Sequence, residues 1–294
     1  ASGAAEREAR PEAFAADAGE LSMQGAADAN LLLAEGSNQE ERHRPRGARQ
    51  MMEQVEARLI RLVKVLDHEA HRPVLADELD RASRFHFERH RRRFICARGA
   101  LREILGAYLG VDPHALTFAY GAHGKPALRS HASRLSFNVS HSEDLALIAV
   151  ASGQIELGVD VEAHRSMPDG DDIARRFFAP SEVERLQVLP AALRGSAFFE
   201  CWTRKEAYLK ALGDGLARPL DAFEVTFGPN ERAELRAIGD DSESARWTLV
   251  PLEPASGFAA ALVATRGVQG VECRDWTGAD VRGSSAPACL RMAV

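Results

Sequence analysis

The residues best placed to do chemistry are three carboxylates and a lysine. Asp160 and Glu162 stand two apart in "IELGVDVEAHR", where Ile155, Leu157, Val159 and Val161 alternate with other residues. That period of two is a strand signal, and it sends both acidic side chains to one face. Like charges so placed repel unless a cation lies between them. Glu206 lies in "FFECWTRKEAYLKALGDG", which reads as a helix closing at a glycine. Steps of three and four place Phe199, Trp202 and Leu209 along its stripe, with Lys210 one turn further on. A carboxylate on an apolar flank is costly unless paired or bound to metal. Together Asp160, Glu162 and Glu206 would form an all-oxygen site of the kind that suits Mg²⁺. The plainer alternatives are a solvated strand end for the first two and a surface ion pair for Glu206 and Lys210. Such a pair is worth only about 0.2–0.5 kcal/mol. Trp202 and Leu209 argue against full exposure.

A Mg²⁺ held by carboxylates keeps positions for water and substrate phosphate, so phosphate-binding groups should lie elsewhere in the chain. "YGAHGKPAL" supplies a glycine-bounded loop in which Pro126 biases Lys125 toward extended backbone. "FNVSHSEDL" supplies Asn138, Ser140 and His141, side chains that can meet phosphates or purine edges. Neither is a Walker A loop. From Arg81 to Arg102 arginine dominates and Glu88 is the single acid. This reads as a solvated helix face or as a docking surface for phosphate or an acidic partner.

The elements that must position these groups follow from pattern. Helical spacing is expected in "VEARLIRLVKVLDHEA" and again from Glu78 to Leu109. "ARGALREILGAYLGVDPHALTFAYG" and "TRKEAYLKALGDGLARPLDAFEVTFG" then repeat each other: a helix, a Leu-Gly end, a loop and a strand ending in Thr-Phe. "DLALIAVA" and "GFAAALVAT" read as matching buried strands. The expectation is an α/β (α+β) chain of two similar halves, 51–152 and 153–270, related by a pseudo-twofold with a cleft between them. Residues 1–50 are rich in Ala, Glu, Gly and Arg and read as a disordered leader, without the basic-then-apolar order of a secretory signal. The tail, 271–294, offers one short strand in "VECRDW".

Composition narrows the partners. The formal net charge of −6 gives no global reason to bind nucleic acid. Four cysteines without CxxC spacing predict reduced thiols in a cytoplasmic protein rather than a zinc site or disulfide framework. No apolar run is long enough to span a bilayer. Two fused halves provide a cleft within one chain, and so a monomer is expected.

In order and spacing, "GKP", "FNVSH", "GVDVE" and "WTRKEAYLK" resemble the Sfp-type 4′-phosphopantetheinyl transferases. The likeness runs from about Leu75 to Thr265 and covers Asp160, Glu162, Trp202, Lys205, Glu206, Ala207 and Lys210. It implies a two-halved fold with coenzyme A in the cleft. It also implies transfer of the phosphopantetheine arm to a serine of an acyl or peptidyl carrier protein, releasing adenosine 3′,5′-bisphosphate. Carried over, Asp160, Glu162 and Glu206 hold Mg²⁺, Glu206 promotes deprotonation of the serine, and Lys210 neutralises the α-phosphate. Tyr120, Gly124, Lys125, Pro126, Asn138, Ser140 and His141 fall at nucleotide contacts. Arg93 falls at the 3′-phosphate, in a register shared with Arg91 and Arg92. Arg81 matches one further basic position, whereas Glu78 stands where another would be. The competing readings are a Mg²⁺-dependent nucleotide phosphohydrolase and a non-catalytic module that binds coenzyme A or a carrier protein.

Overall fold

The computed structural model describes residues 59–66, 73–121, 124–129, 135–213, 218–229, 231–237, 241–268, 270–276 and 292–293. Strand β1 is Leu59–Leu66; helices α1 (Ala76–Ser83) and α2 (Glu88–Leu109) follow. Next come β2 (Phe118–Tyr120), β3 (Pro126–Leu128), β4 (Leu135–Ser142), β5 (Leu145–Ser152) and β6 (Leu157–Ala163). Three helices then run in series, α3 (Gly170–Phe177), α4 (Pro180–Val188) and α5 (Ala191–Leu212). β7 (Phe223–Val225), β8 (Leu235–Ala237), α6 (Asp241–Ala245), β9 (Trp247–Leu252) and β10 (Phe258–Thr265) complete the second set. β11 (Gly270–Asp275) and β12 (Met292–Ala293) close the described chain.

The internal repeat is visible in the topology. A strand, a 22-residue helix, a small hairpin and two long strands occur as β1–α2–β2/β3–β4–β5 and again as β6–α5–β7/β8–β9–β10. The sheet orders match, β1-β5-β4 against β6-β10-β9. Both long helices end on a glycine in the left-handed region, Gly110 at φ 71° and Gly213 at φ 80°, a conformation that favours glycine. The Thr-Phe pairs, by contrast, are not equivalent. Thr117-Phe118 opens β2, whereas Thr226-Phe227 follows β7.

Alternation along the strands stacks the molecule in four layers. Leu145, Leu147, Ala149 and Ala151 of β5 share a core with Leu157, Val159 and Val161 of β6 and Ala260, Leu262 and Ala264 of β10. The opposite face of β5, Ala146, Ile148 and Val150, packs on α2. The opposite face of β10, Ala259, Ala261 and Val263, packs on α5. The order is therefore helix, sheet, sheet, helix, and continuous apolar runs in β5 and β10 fit strands buried on both faces.

Two element expectations need correction. "LIRLVKVL" forms a strand, not a helix. Its apolar pairs spaced by single basic residues fit either period, and pairing with β5 on one side and β11 on the other decides. The pattern over 78–109 is two helices, broken between Ser83 and Glu88. The tail strand foreseen in "VECRDW" is β11, which runs parallel to β1 in the sheet of the first half. Residues 1–50 lie outside the described residues. Among the described residues no helix is long and apolar enough to cross a membrane.

Candidate active site

At one margin of the sheet-on-sheet packing the two edge strands, β4 and β6, run beside each other. As an edge strand, β6 has outward N–H groups that its own sheet leaves unpaired. Polar side chains on alternate residues of β4 satisfy them. Val159 N donates to Asn138 Oδ1 at 2.8 Å, Val161 N to Ser140 Oγ at 3.3 Å and Ala163 N to Ser142 Oγ at 3.0 Å. Ile155 N donates to Ser136 Oγ at 2.9 Å. The polar alternation of "SFNVSHS" is thus a seam between the halves. Asn138 and Ser140 also line the cavity beside it.

On the second half's side, α5 lies flush against β6 because Gly158 has no side chain. A Cβ there would come within 2.7 Å of the Lys210 carbonyl carbon, and closer still to Ala207 O and Ala211 N. This close approach sets Glu206 and Lys210 opposite Asp160. Trp202 and Leu209, which flank Glu206, are buried at 4% and 1% exposure.

A cavity of about 280 Å³ opens over this junction. Asp160, Glu162, Glu206 and Lys210 line it, and so do Arg89, His90, Arg93 and His141. Lys210 Nζ donates to Asp160 Oδ1 at 2.6 Å and to Ser140 Oγ at 3.0 Å. The Ser140 hydroxyl in turn donates to Asp160 Oδ1 at 2.8 Å. Burial alone would lower the Lys210 ammonium's pKa, but the carboxylates, Asp160 foremost, leave it net raised. Glu162 accepts from Ser142 Oγ at 3.0 Å and from Arg165 Nη1 at 3.2 Å. Burial, then the charge of Asp160, pushes both Glu162 and Glu206 up to about 7.

Asp160 Oδ2 is buried without a hydrogen-bond partner among the described residues. Two further carboxyls whose charged forms are strained by burial and mutual repulsion face the same cavity, and all available donors are hard oxygens. That donor chemistry fits Mg²⁺. Among the described residues no group of three or more such side chains is already arranged as a metal cage. The cation now contacting Asp160 is the Lys210 ammonium.

The remaining predicted residues divide between the cavity and its surroundings. Gly124 and Pro126 line the cavity. Lys125 does so too, yet its ammonium donates to Leu157 O at 3.1 Å, Lys210 O at 2.5 Å and Ala211 O at 3.3 Å. Three carbonyls use up its three donors. The lysine staples its loop to the end of α5, and burial lowers it to about 8. His141 is lowered to about 4 by burial, aided by Lys210 and Arg93, so it is neutral at pH 7. Arg93 faces the cavity, whereas Arg91 pairs with Glu88 outside it. Arg81 and Tyr120 are not among the lining residues. The Arg81 guanidinium sits 5.3 Å from the Tyr120 ring and 5.7 Å from that of Phe94. Glu78, at the position where a basic residue was sought, is buried and pairs with Arg102 at 2.8 Å and Arg98 at 3.4 Å.

Sequence reasoning left out His90, Arg165 and Glu143 of the cavity lining. The arginine cluster could have pointed to His90; nothing local marked the other two. It also gave no role to Lys205 of the "WTRKEA" motif. That side chain is 0% exposed, 2.7 Å from Glu182, and donates to Leu220 O and Phe223 O. Glu182 also accepts from Ala179 N and Val225 N. The pair therefore ties α5 to the start of α4 and to β7.

An acid cluster with an ammonium, guanidinium and imidazole groups lining the same cavity, and a repeated α/β frame around them fit a phosphoryl-transfer type of protein. Residues 156–263 match the model of the 4′-phosphopantetheinyl transferase superfamily, and residues 67–153 that of the 4′-phosphopantetheinyl transferase N-terminal region. The chain is 46% identical over 189 residues to the 4′-phosphopantetheinyl transferase HetI of Nostoc sp., covering 64% of this chain and 76% of that one. It is 32% identical over 152 residues to a 4′-phosphopantetheinyl transferase of Bacillus subtilis, covering 52% and 66%. The Sfp enzyme of Bacillus subtilis strain 168 is 28% identical over 149 residues, covering 51% and 64%. The chain belongs to the 4′-phosphopantetheinyl transferase superfamily.

Proposed function

We propose that the cleft transfers the 4′-phosphopantetheine arm of coenzyme A to a serine hydroxyl of an acyl or peptidyl carrier protein with the help of Mg²⁺. Asp160, Glu162 and Glu206 would hold the ion. When bound, it would neutralise charge on the coenzyme A pyrophosphate. The serine oxygen bonds to the phosphorus bearing pantetheine, the bond from that phosphorus to the bridging oxygen breaks, and adenosine 3′,5′-bisphosphate leaves. Glu206 takes up the serine proton, directly or through water. Lys210 meets the charge that builds on the leaving α-phosphate. Arg93, with neutral His141 beside it, receives the 3′-phosphate. Asn138 and Ser140 hold the seam on which this geometry depends, and Lys125 fixes the end of α5.

The observation that most supports this reading is the meeting of Asp160, Glu162, Glu206 and Lys210 on one cavity wall, brought there by two different elements. The arginine-rich start of α2 suits an acidic carrier. The reaction is read as that of a cytoplasmic monomer. Intact-mass spectrometry of an apo carrier incubated with the chain, coenzyme A and Mg²⁺ tests it. The expected result is one phosphopantetheine addition, lost with EDTA and in Asp160→Ala. No addition on any of several carrier types, with coenzyme A still bound, would overturn it in favour of a binding module. Adenosine bisphosphate released without a carrier would favour a hydrolase.

A further inference from the structure

Arg93 is already engaged. Its Nη2 donates to Glu143 Oε2 at 2.7 Å and to Asp144 Oδ1 at 3.1 Å, and its Nε donates to Asp144 at 3.2 Å. Both acids come from the two-residue turn joining β4 to β5. Burial lowers the guanidinium's pKa, and the two carboxylates more than offset this, so that the net effect is a rise. Arg93 and Glu143 both line the cavity.

Glu143 reaches this position in an unfavourable backbone state. Its φ is 49°, the one non-glycine residue with positive φ among those described. Tight hairpin turns place glycine, asparagine or aspartate there, and a glutamate enters the left-handed region at a cost. An outlier of this kind at a site edge points to a use for the side chain. The pair it makes is displaceable, since Glu143 and Asp144 side chains are 57% and 74% exposed and ion pairs of that exposure are weak.

We propose that Glu143, supported by Asp144, is a specificity-setting placeholder. Its carboxylate occupies the Arg93 guanidinium and must be displaced by the phosphate monoester of the incoming nucleotide. The proposal rests on the reading of the cleft as a coenzyme A site. Two consequences follow from the geometry. Affinity for the 3′-phosphate is held below what Arg93 alone would provide, and the loss falls only on ligands that carry that phosphate. Keeping the site weak for adenosine 3′,5′-bisphosphate would also hasten release of the by-product.

Calorimetry with coenzyme A and with dephospho-coenzyme A, on wild type and Glu143→Gln, tests this directly. Glutamine keeps the length and the backbone state and removes the charge. The variant should bind coenzyme A about three- to fivefold more tightly at low salt, the range set by a weak exposed ion pair. Dephospho-coenzyme A should change less than 1.5-fold, and the gain should shrink in 0.5 M salt as screening shortens to a few ångströms. In an Arg93→Ala background Glu143→Gln should alter neither affinity. Equal tightening of both ligands, or weaker binding of coenzyme A because Glu143 instead preorganises Arg93, would overturn the proposal alone. Wild-type protein that binds neither ligand would overturn the reading of the cleft and this proposal with it.

Discussion

Replacing Gly158 with alanine adds one methyl group at the most confined point beside the site. The new Cβ would sit 2.7 Å from the Lys210 carbonyl carbon and closer to two other backbone atoms of α5. None of these is a flexible side-chain end, so the helix must move by about 1 Å to reach ordinary contact. Overpacking of this sort costs about 1–3 kcal/mol. For a chain of this size that lowers the melting temperature by about 2–12 °C, using roughly 2–4 °C per kcal/mol. The functional loss should be larger than the stability loss. Glu206 and Lys210 ride on α5 while Asp160 and Glu162 ride on β6, and a misplacement of 1 Å can cost about 100-fold in rate. Thermal melts read the first effect; carrier modification followed by mass spectrometry at saturating coenzyme A reads the second. A Gly158→Ala protein with wild-type melting and wild-type rate would refute the claim that this contact sets the separation of the carboxylates.

Glu206→Ala should lower transfer by at least about 100-fold, because it removes both a metal ligand and the group that takes up the serine proton; retained Mg²⁺-dependent activity would remove Glu206 from the mechanism. Glu162 and Glu206 titrate near 7 in the folded chain and near 4.5 when unfolded, so the folded state binds more protons between those values and stability falls as pH rises through that window. Mg²⁺ should restore stability at the upper end. His141, lowered to about 4, has the opposite slope below its unfolded value of 6.5. The two acids are therefore isolated by comparing wild type with Glu162→Gln/Glu206→Gln in chemical denaturation, and parallel pH profiles would contradict the assignment. Lys205→Met leaves Glu182 buried without its cation and should cost about 3–5 kcal/mol, with Glu182→Gln added to the same protein recovering part of it; an unchanged urea midpoint for the single variant would show that the pair does not anchor α5. Arg89→Glu should weaken binding of an acidic carrier several-fold at low salt and less at high salt; titration by fluorescence anisotropy with no change at low salt would dismiss that docking face.

How much of this was legible beforehand depended on whether a residue's partners lay on its own element. The Asp160/Glu162 face and the Phe199–Trp202–Glu206–Leu209 stripe are set by strand and helix periods, and both could be read directly. The repeat was legible as well, because the same order of helix, glycine cap and strands recurs. What local pattern could not supply was decided by distant pairing. "LIRLVKVL" becomes a strand because β5 and β11 take its two edges. Asn138 and Ser140 looked like free donors, but their first obligation is to the edge of β6, which no local pattern announces. Lys125 read as a phosphate-binding group, and the three carbonyls of β6 and α5 that its ammonium meets were not marked by any local pattern. Lys205 was legible only as a motif letter, since its partner Glu182 is 23 positions earlier on another helix.

The parallel pairing of β11 with β1 has a bearing on biogenesis. β1 contains residues 59–66, and the strand that covers its second edge is made of residues 270–275. On the ribosome the first half emerges long before that strand exists, leaving β1 with an unsatisfied row of backbone donors and acceptors through most of synthesis. Such an edge can recruit foreign strands, and closing a loop of this length delays its pairing. The first repeat therefore cannot finish its sheet on its own, and a polypeptide stopped just before Gly270 would carry every candidate site residue and still lack the strand that seals the sheet behind them.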